Sequence, residues 1–139
     1  MATRSNIAVR KEAGGKFLQV YCHWDGHFDT NGRLLLTHYN SHEKALELVS
    51  LGDMSSLGER AVLDGEHSFE KADDKTTVYY GRDRGEKNTE PEMRVSPKMK
   101  EEYLYVFDID PDDGVWKWFG QNARYKYPFV LEPKYCGIE

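Results

Sequence analysis

The sequence predicts an α+β fold: a single antiparallel β-sheet, with two or three short helices inserted after its first hairpin and packed on one face. Three observations predict it. Hairpin patterns stand near both ends of the chain, helical periodicity fills the stretch between residues 33 and 51, and strands and helices do not alternate as a doubly wound fold requires. With 139 residues the chain falls within the ~100–200 of one domain, so a single domain over 1–139 is expected.

The first hairpin reads Ile7 to Arg10, a turn at Lys11-Glu12-Ala13-Gly14-Gly15, then Lys16 to Cys22. The next loop, His23-Trp24-Asp25-Gly26-His27-Phe28-Asp29, carries the densest chemistry in the sequence. Asp29 or Thr30 suits the cap of a short helix bearing Leu34, Leu35, Leu36 and His38. Asn40 followed by Glu43 resembles a capping box, and Ala45, Leu46, Leu48, Val49 and Leu51 recur at helical spacing before Gly52. Asp53 then suits the cap of one further helical turn, Met54 to Leu57. Thr76 to Tyr80 has strand character, whereas 81–100 is charged, carries Pro91 and Pro97, and reads as a long flexible loop. Tyr103 to Phe107 and Val115 to Phe119 flank the turn Asp110-Pro111-Asp112-Asp113-Gly114, and Tyr125 to Val130 adds an edge strand in which Pro128 argues against a central position.

Composition removes several functions. Lys and Arg total 19 against 24 Asp and Glu, a net charge of -5, so no overall cationic field draws nucleic acid nonspecifically, and the acidic surplus is too small for a DNA mimic. No apolar run approaches the ~20 residues of a membrane span, and the first residues lack a signal peptide's apolar core; no membrane partner and a cytoplasmic location are expected. Cys22 and Cys136 have no CxxC spacing and are expected as reduced thiols. Cys22 adjoins His23, but adjacent strand residues face opposite ways, which separates a nucleophile from its base. No GxSxG, HExxH, P-loop or dinucleotide fingerprint occurs, so no cofactor is expected and catalysis is disfavoured.

His23, Asp25, His27 and Asp29 invite a metal reading, since imidazole and carboxylate ligate zinc or iron. A turn at Gly26 scatters them, however, and His38, His42 and His67 stand equally as completions; a hydrogen-bonded loop braced by Trp24 and Phe28 is the preferred reading. The run from Asp108 to Gly114 is set against a calcium loop because Asp113 and Phe119 occupy that loop's glycine and glutamate positions. Arg82 and Arg84, beside Tyr80, suit a grip on phosphate or carboxylate with a ring stacked alongside, weighed against a solvated loop in which they pair with Asp83 or Glu86.

The segments Ala2-Thr3-Arg4-Ser5 with Ile7, Tyr21-Cys22-His23-Trp24-Asp25-Gly26, Gly32 with Leu34-Leu35 and His38-Tyr39, Leu51-Gly52-Asp53 with Ser55, and Arg82-Asp83-Arg84-Gly85 together resemble a family of small proteins encoded by tailed bacteriophages and prophages. The likeness runs from Ala2 to about Gly85. It departs at His27-Phe28-Asp29, where the family has tyrosine and proline. The resemblance implies a phage origin and the host cytoplasm, and supplies no catalytic residue. By analogy, small phage accessory proteins act by binding, blocking a host defence protein or sequestering its nucleotide signal. The expected function is therefore a non-enzymatic counter-defence or host-takeover module. Its ligand- or partner-binding surface comprises Arg4, His23, Trp24, Asp25, Tyr80, Arg82 and Arg84, with a host protein or a nucleotide-like, phosphate-bearing small molecule as partner. Homo-oligomerisation stays open. The competing expectations are a metal-dependent hydrolase using His23, Asp25 and His27, and a virion or assembly component.

Overall fold

The computed structural model describes residues 2–61 and 75–138. Strand β1 (Ser5–Arg10) turns back into β2 (Phe17–Cys22), pairing antiparallel with Ser5 opposite Cys22 and Arg10 opposite Phe17. A π-helical turn, Phe28–Gly32, runs directly into α1 (Arg33–His38), and α2 (His42–Ser50) follows. Next come β3 (Met54–Ser56), β4 (Val78–Tyr79), the five-residue α3 (Tyr80–Arg84) and β5 (Glu92–Arg94). The chain closes with β6 (Tyr103–Ile109), β7 (Trp116–Asn122), β8 (Phe129–Val130) and a 3₁₀ turn at Pro133–Cys136.

The fold is α+β and its strands form one sheet, in the order β4-β3-β2-β1-β6-β7-β8, with β5 paired to β2 beyond that path. The sheet is mixed, however, and not antiparallel throughout. β1 lies parallel to β6 with Ile7 beside Tyr105, and β2 lies parallel to β3 at Cys22 and Met54. Both parallel pairs join strands separated by long connections, α1 and α2 in one case and everything from β2 to residue 102 in the other, as parallel pairing requires. The third helix also differs in place: α3 follows β4, not the first hairpin.

Three local expectations change for identifiable reasons. Met54–Ser56 is a strand, not a helical turn, because the Asp53 carboxylate accepts from the Tyr21 backbone N–H at 2.9 Å instead of capping, while His23 N–H donates to the Met54 carbonyl. The cap of α2 is Ser41, whose extended backbone lets its hydroxyl accept from Lys44 N–H at 3.3 Å; Asn40 lies one residue too early. The 81–100 stretch holds most of α3 and all of β5 where a loop was expected. His67, one of the histidines weighed as a metal ligand, lies outside the described residues.

Alternation in the strands divides the core into two faces. Ile7, Val9, Val20, Cys22, Tyr105, Phe107 and Trp118 meet Leu35, Ala45, Leu48 and Val49 of the helices on one side. On the other, Ala8, Phe17, Leu104 and Val106 pack with Met99 and Phe119. A strap of chain ahead of β6 crosses this second face. The Gln19 side-chain amide, itself buried, donates to the Lys98 carbonyl and accepts from the Lys98 N–H, and buried Asn6 accepts from the Lys100 N–H. Two side chains thus supply the pairing that a further strand would otherwise provide.

Candidate recognition surface

The loop leaving β2 is tied down by several of its backbone groups. His23 and Trp24 N–H donate to the carbonyls of Met54 and Ser55, and Gly26 N–H donates to Thr3. The Asn31 side chain donates to the Trp24 carbonyl at 3.0 Å and its backbone N–H donates to Asp25. Tyr105 donates its hydroxyl to the Gly26 carbonyl at 2.6 Å from within the core. Asp25 occupies the left-handed region, with φ of 60°. From this frame the Trp24 ring projects 46% exposed, edge-on to His23 at 4.7 Å.

Contacts of the expected residues run through β2 and β3, the strands that hold this loop. His23 Nδ1 lies 2.6 Å from the Tyr21 hydroxyl. Burial raises the Tyr21 phenol above its usual value; Arg4 works against that rise, and Tyr80 and Glu101 add to it. Arg84 stands 5.4 Å from the Tyr80 ring and within 3.5 Å of Ser55 Oγ, on the strand whose backbone carries Trp24. Tyr21 and Ser55 were missed from the sequence. The signal for Tyr21 was present, because residues 21 and 23 share a face in an extended chain.

Arg82 makes its contacts in the corner where β4 meets α3 and with Ala61. Its guanidinium forms a two-pronged pair with Asp83, Nε to Oδ1 at 3.0 Å and Nη2 to Oδ2 at 3.1 Å. The same group donates to the carbonyls of Ala61 and Thr77 and lies 4.7 Å from the Tyr79 ring. The Arg82 fork is thus engaged within the fold, where the two carbonyls and Asp83 converge on it.

The groups read for metal binding separate. His27 offers one ring nitrogen to Thr3 Oγ1 at 3.1 Å and the other to the Tyr103 hydroxyl at 3.3 Å. Among the described residues no three His, Cys, Asp or Glu side chains stand close enough to hold an ion. Cys22 lies in the core with its thiol pushed up to about 12, chiefly by burial, and is protonated at neutral pH. Its side chain turns toward Asn31, and that of His23 toward Tyr21, as strand alternation requires. What this surface offers is contact chemistry: ring faces, an indole, and a guanidinium beside a phenol. Among the described residues no helix is long and apolar enough to cross a membrane.

Beside Tyr21 lies a hollow of about 330 Å³ walled by Asp53, Glu90, Glu92, Glu101 and Lys100. Burial holds the Asp53 carboxyl above its ordinary 3.8; Glu90 and Glu92 add to the rise, and the Tyr21 N–H and Lys100 oppose it. A value higher folded than unfolded means the folded state keeps the proton longer. Stability is therefore lost as pH rises from the ordinary value through the folded one, and the loss persists above it. Asp53→Asn keeps an acceptor for the Tyr21 N–H and removes the charge. It is expected to raise the thermal midpoint at pH 7 and leave it unchanged at about pH 3, below both values; equal midpoints at neutral pH would refute the cost assigned to the ionised carboxylate.

No family model, curated protein or solved structure matches the chain.

Proposed function

We propose that the protein acts by binding, not catalysis, and that its partner is a protein engaged through Trp24. The observation that carries this reading is the combination of a half-exposed indole with a loop tied through its backbone to β3, Thr3 and Asn31. A tryptophan in that setting loses little freedom on association and suits the anchor of an interface. His23, Asp25, Tyr80, Arg84 and Arg4 supply its polar surround. The phage resemblance makes a host defence component the partner of choice, with the host cytoplasm as the place of action. A phosphate-bearing ligand is the second reading, favoured by Arg84 beside the Tyr80 ring and weakened by the withdrawal of Arg82.

Native mass spectrometry after incubation with host lysate tests this. A stoichiometric protein complex is expected, and Trp24→Ala should weaken it by about 30-fold, the ~2 kcal/mol of an interface hot spot, with the thermal midpoint nearly unchanged. A complex that survives Trp24→Ala at full strength would refute the assignment. A nucleotide adduct lost in Arg84→Ala and kept in Trp24→Ala would transfer the function to the second reading.

A further inference from the structure

A line of aromatic rings leads from the Trp24 loop to the opposite edge of the sheet. Phe28 meets Tyr103 edge-on at 5.0 Å and Phe129 at 5.6 Å, and Phe129 carries Tyr125 at 4.6 Å and Tyr135 at 5.2 Å. The outer rings stand in water: Tyr125 is 44% exposed, Tyr135 42% and Tyr127 76%. Cations alternate with them. Arg124 and Lys126 are exposed and have no ion-pair partner among the described residues. Lys134 stands 5.3 Å from the Tyr135 ring and 3.2 Å from the Glu132 carboxylate. Three cations against one acid give residues 122–135 a net charge of +2, opposite in sign to the chain's -5.

The segment is also held in shape. Gln121 Nε2 donates to the carbonyls of Tyr125 and Lys126 at 2.9 and 3.1 Å, and Tyr125 N–H donates to Asn122. Rings and cations at successive positions on a fixed backbone match a ligand that repeats a stackable face and a negative charge at each unit. Protein interfaces, by contrast, are depleted in lysine at their centres. We infer that the edge from Arg124 to Tyr135 is a stacking platform for single-stranded nucleic acid, separate from the Trp24 surface. The negative charge of the whole chain keeps this binding local, so it does not spread into coating.

Fluorescence anisotropy with labelled oligo(dT) and oligo(U) of about 20 nucleotides tests the platform, and the two arms tell DNA from RNA. Binding of either is expected, weakening roughly 20-fold between about 50 and about 200 mM salt if three phosphates are neutralised. Tyr127→Ala should weaken it about tenfold by removing one stacked base. Because Tyr127 makes no ring contact among the described residues, the variant should keep its thermal midpoint. Trp24→Ala should leave oligonucleotide binding unchanged, which keeps this test apart from that of the protein partner. No anisotropy change at the lower salt, equal affinity for a blunt duplex, or indifference to Tyr127→Ala would overturn the assignment. A protein partner lost in Tyr127→Ala, with no oligonucleotide bound, would give the edge to a protein interface.

Discussion

Arg82→Ala is expected to lower the unfolding free energy by about 2–4 kcal/mol, and the thermal midpoint by roughly 10 °C. The Asp83 side chain is 1% exposed and that of Arg82 24%, so the pair is only partly screened by water. Removing the guanidinium takes two hydrogen bonds from the Asp83 carboxylate and strips a donor from both the Ala61 and Thr77 carbonyls. A fully buried broken pair costs about 3–5 kcal/mol, and the residual exposure of Arg82 reduces that figure. Arg82→Lys should recover only part of the loss, since an ammonium cannot fill the fork. Urea unfolding with unchanged slope is the measurement, and a midpoint equal to the wild type would contradict the structural role. The result also governs how binding data are read. Lost binding in an Arg82 variant reports a disturbed β4–α3 corner, so Arg84→Ala is the cleaner probe of that flank.

The second large effect is expected at Gly52. Its φ of 95° lies in the region that side chains rarely adopt, and an added Cβ would overlap the Thr89 carbonyl oxygen. That same oxygen accepts from Asp53 N–H at 2.8 Å, so it cannot retreat without breaking the link between the end of α2 and the segment entering β5. Backbone strain and overpacking together predict a loss of about 3–5 kcal/mol for Gly52→Ala, a large part of the ~5–15 kcal/mol that stabilises a domain. Gly14→Ala isolates the conformational share. Its φ is 75° and nothing stands within 4 Å of the added carbon, so it should cost ~1 kcal/mol. Equal denaturation midpoints for the two variants would show that the contact with Thr89 contributes nothing.

The parts of the fold that were legible are those in which side chains announce their own register. Val20 and Cys22 alternate with polar neighbours in β2, Leu48 and Val49 recur on one side of α2, and the turn at Pro111 and Gly114 separates two aromatic strands. β3 was illegible because Met54-Ser55-Ser56 owes its conformation to Cys22 and Tyr79, which lie far away in sequence. β5 was hidden for a different reason: Glu92 and Met93 are exposed, so only the backbone pairing to β2 marks it as a strand. Nothing in β1 or β6 alone reveals that they run the same way. At the candidate site, Trp24 and His23 were legible as a loop rich in rings, and the pairing of Arg82 with Asp83 was one of two readings weighed. The Ala61 and Thr77 carbonyls that join Asp83 around Arg82 arrive there by a tertiary event with no local trace.

The parallel contact between β1 and β6 bears on how the protein is made. β1 is synthesised well before β6, the strand that completes its other side and begins at Tyr103. Until β6 is made, any β1–β2 hairpin has its outer row of amides and the faces of Ile7 and Val9, both buried in the finished fold, open to water. Closure of the sheet is thus a late, long-range step, and the nascent chain is most exposed to aggregation during that interval.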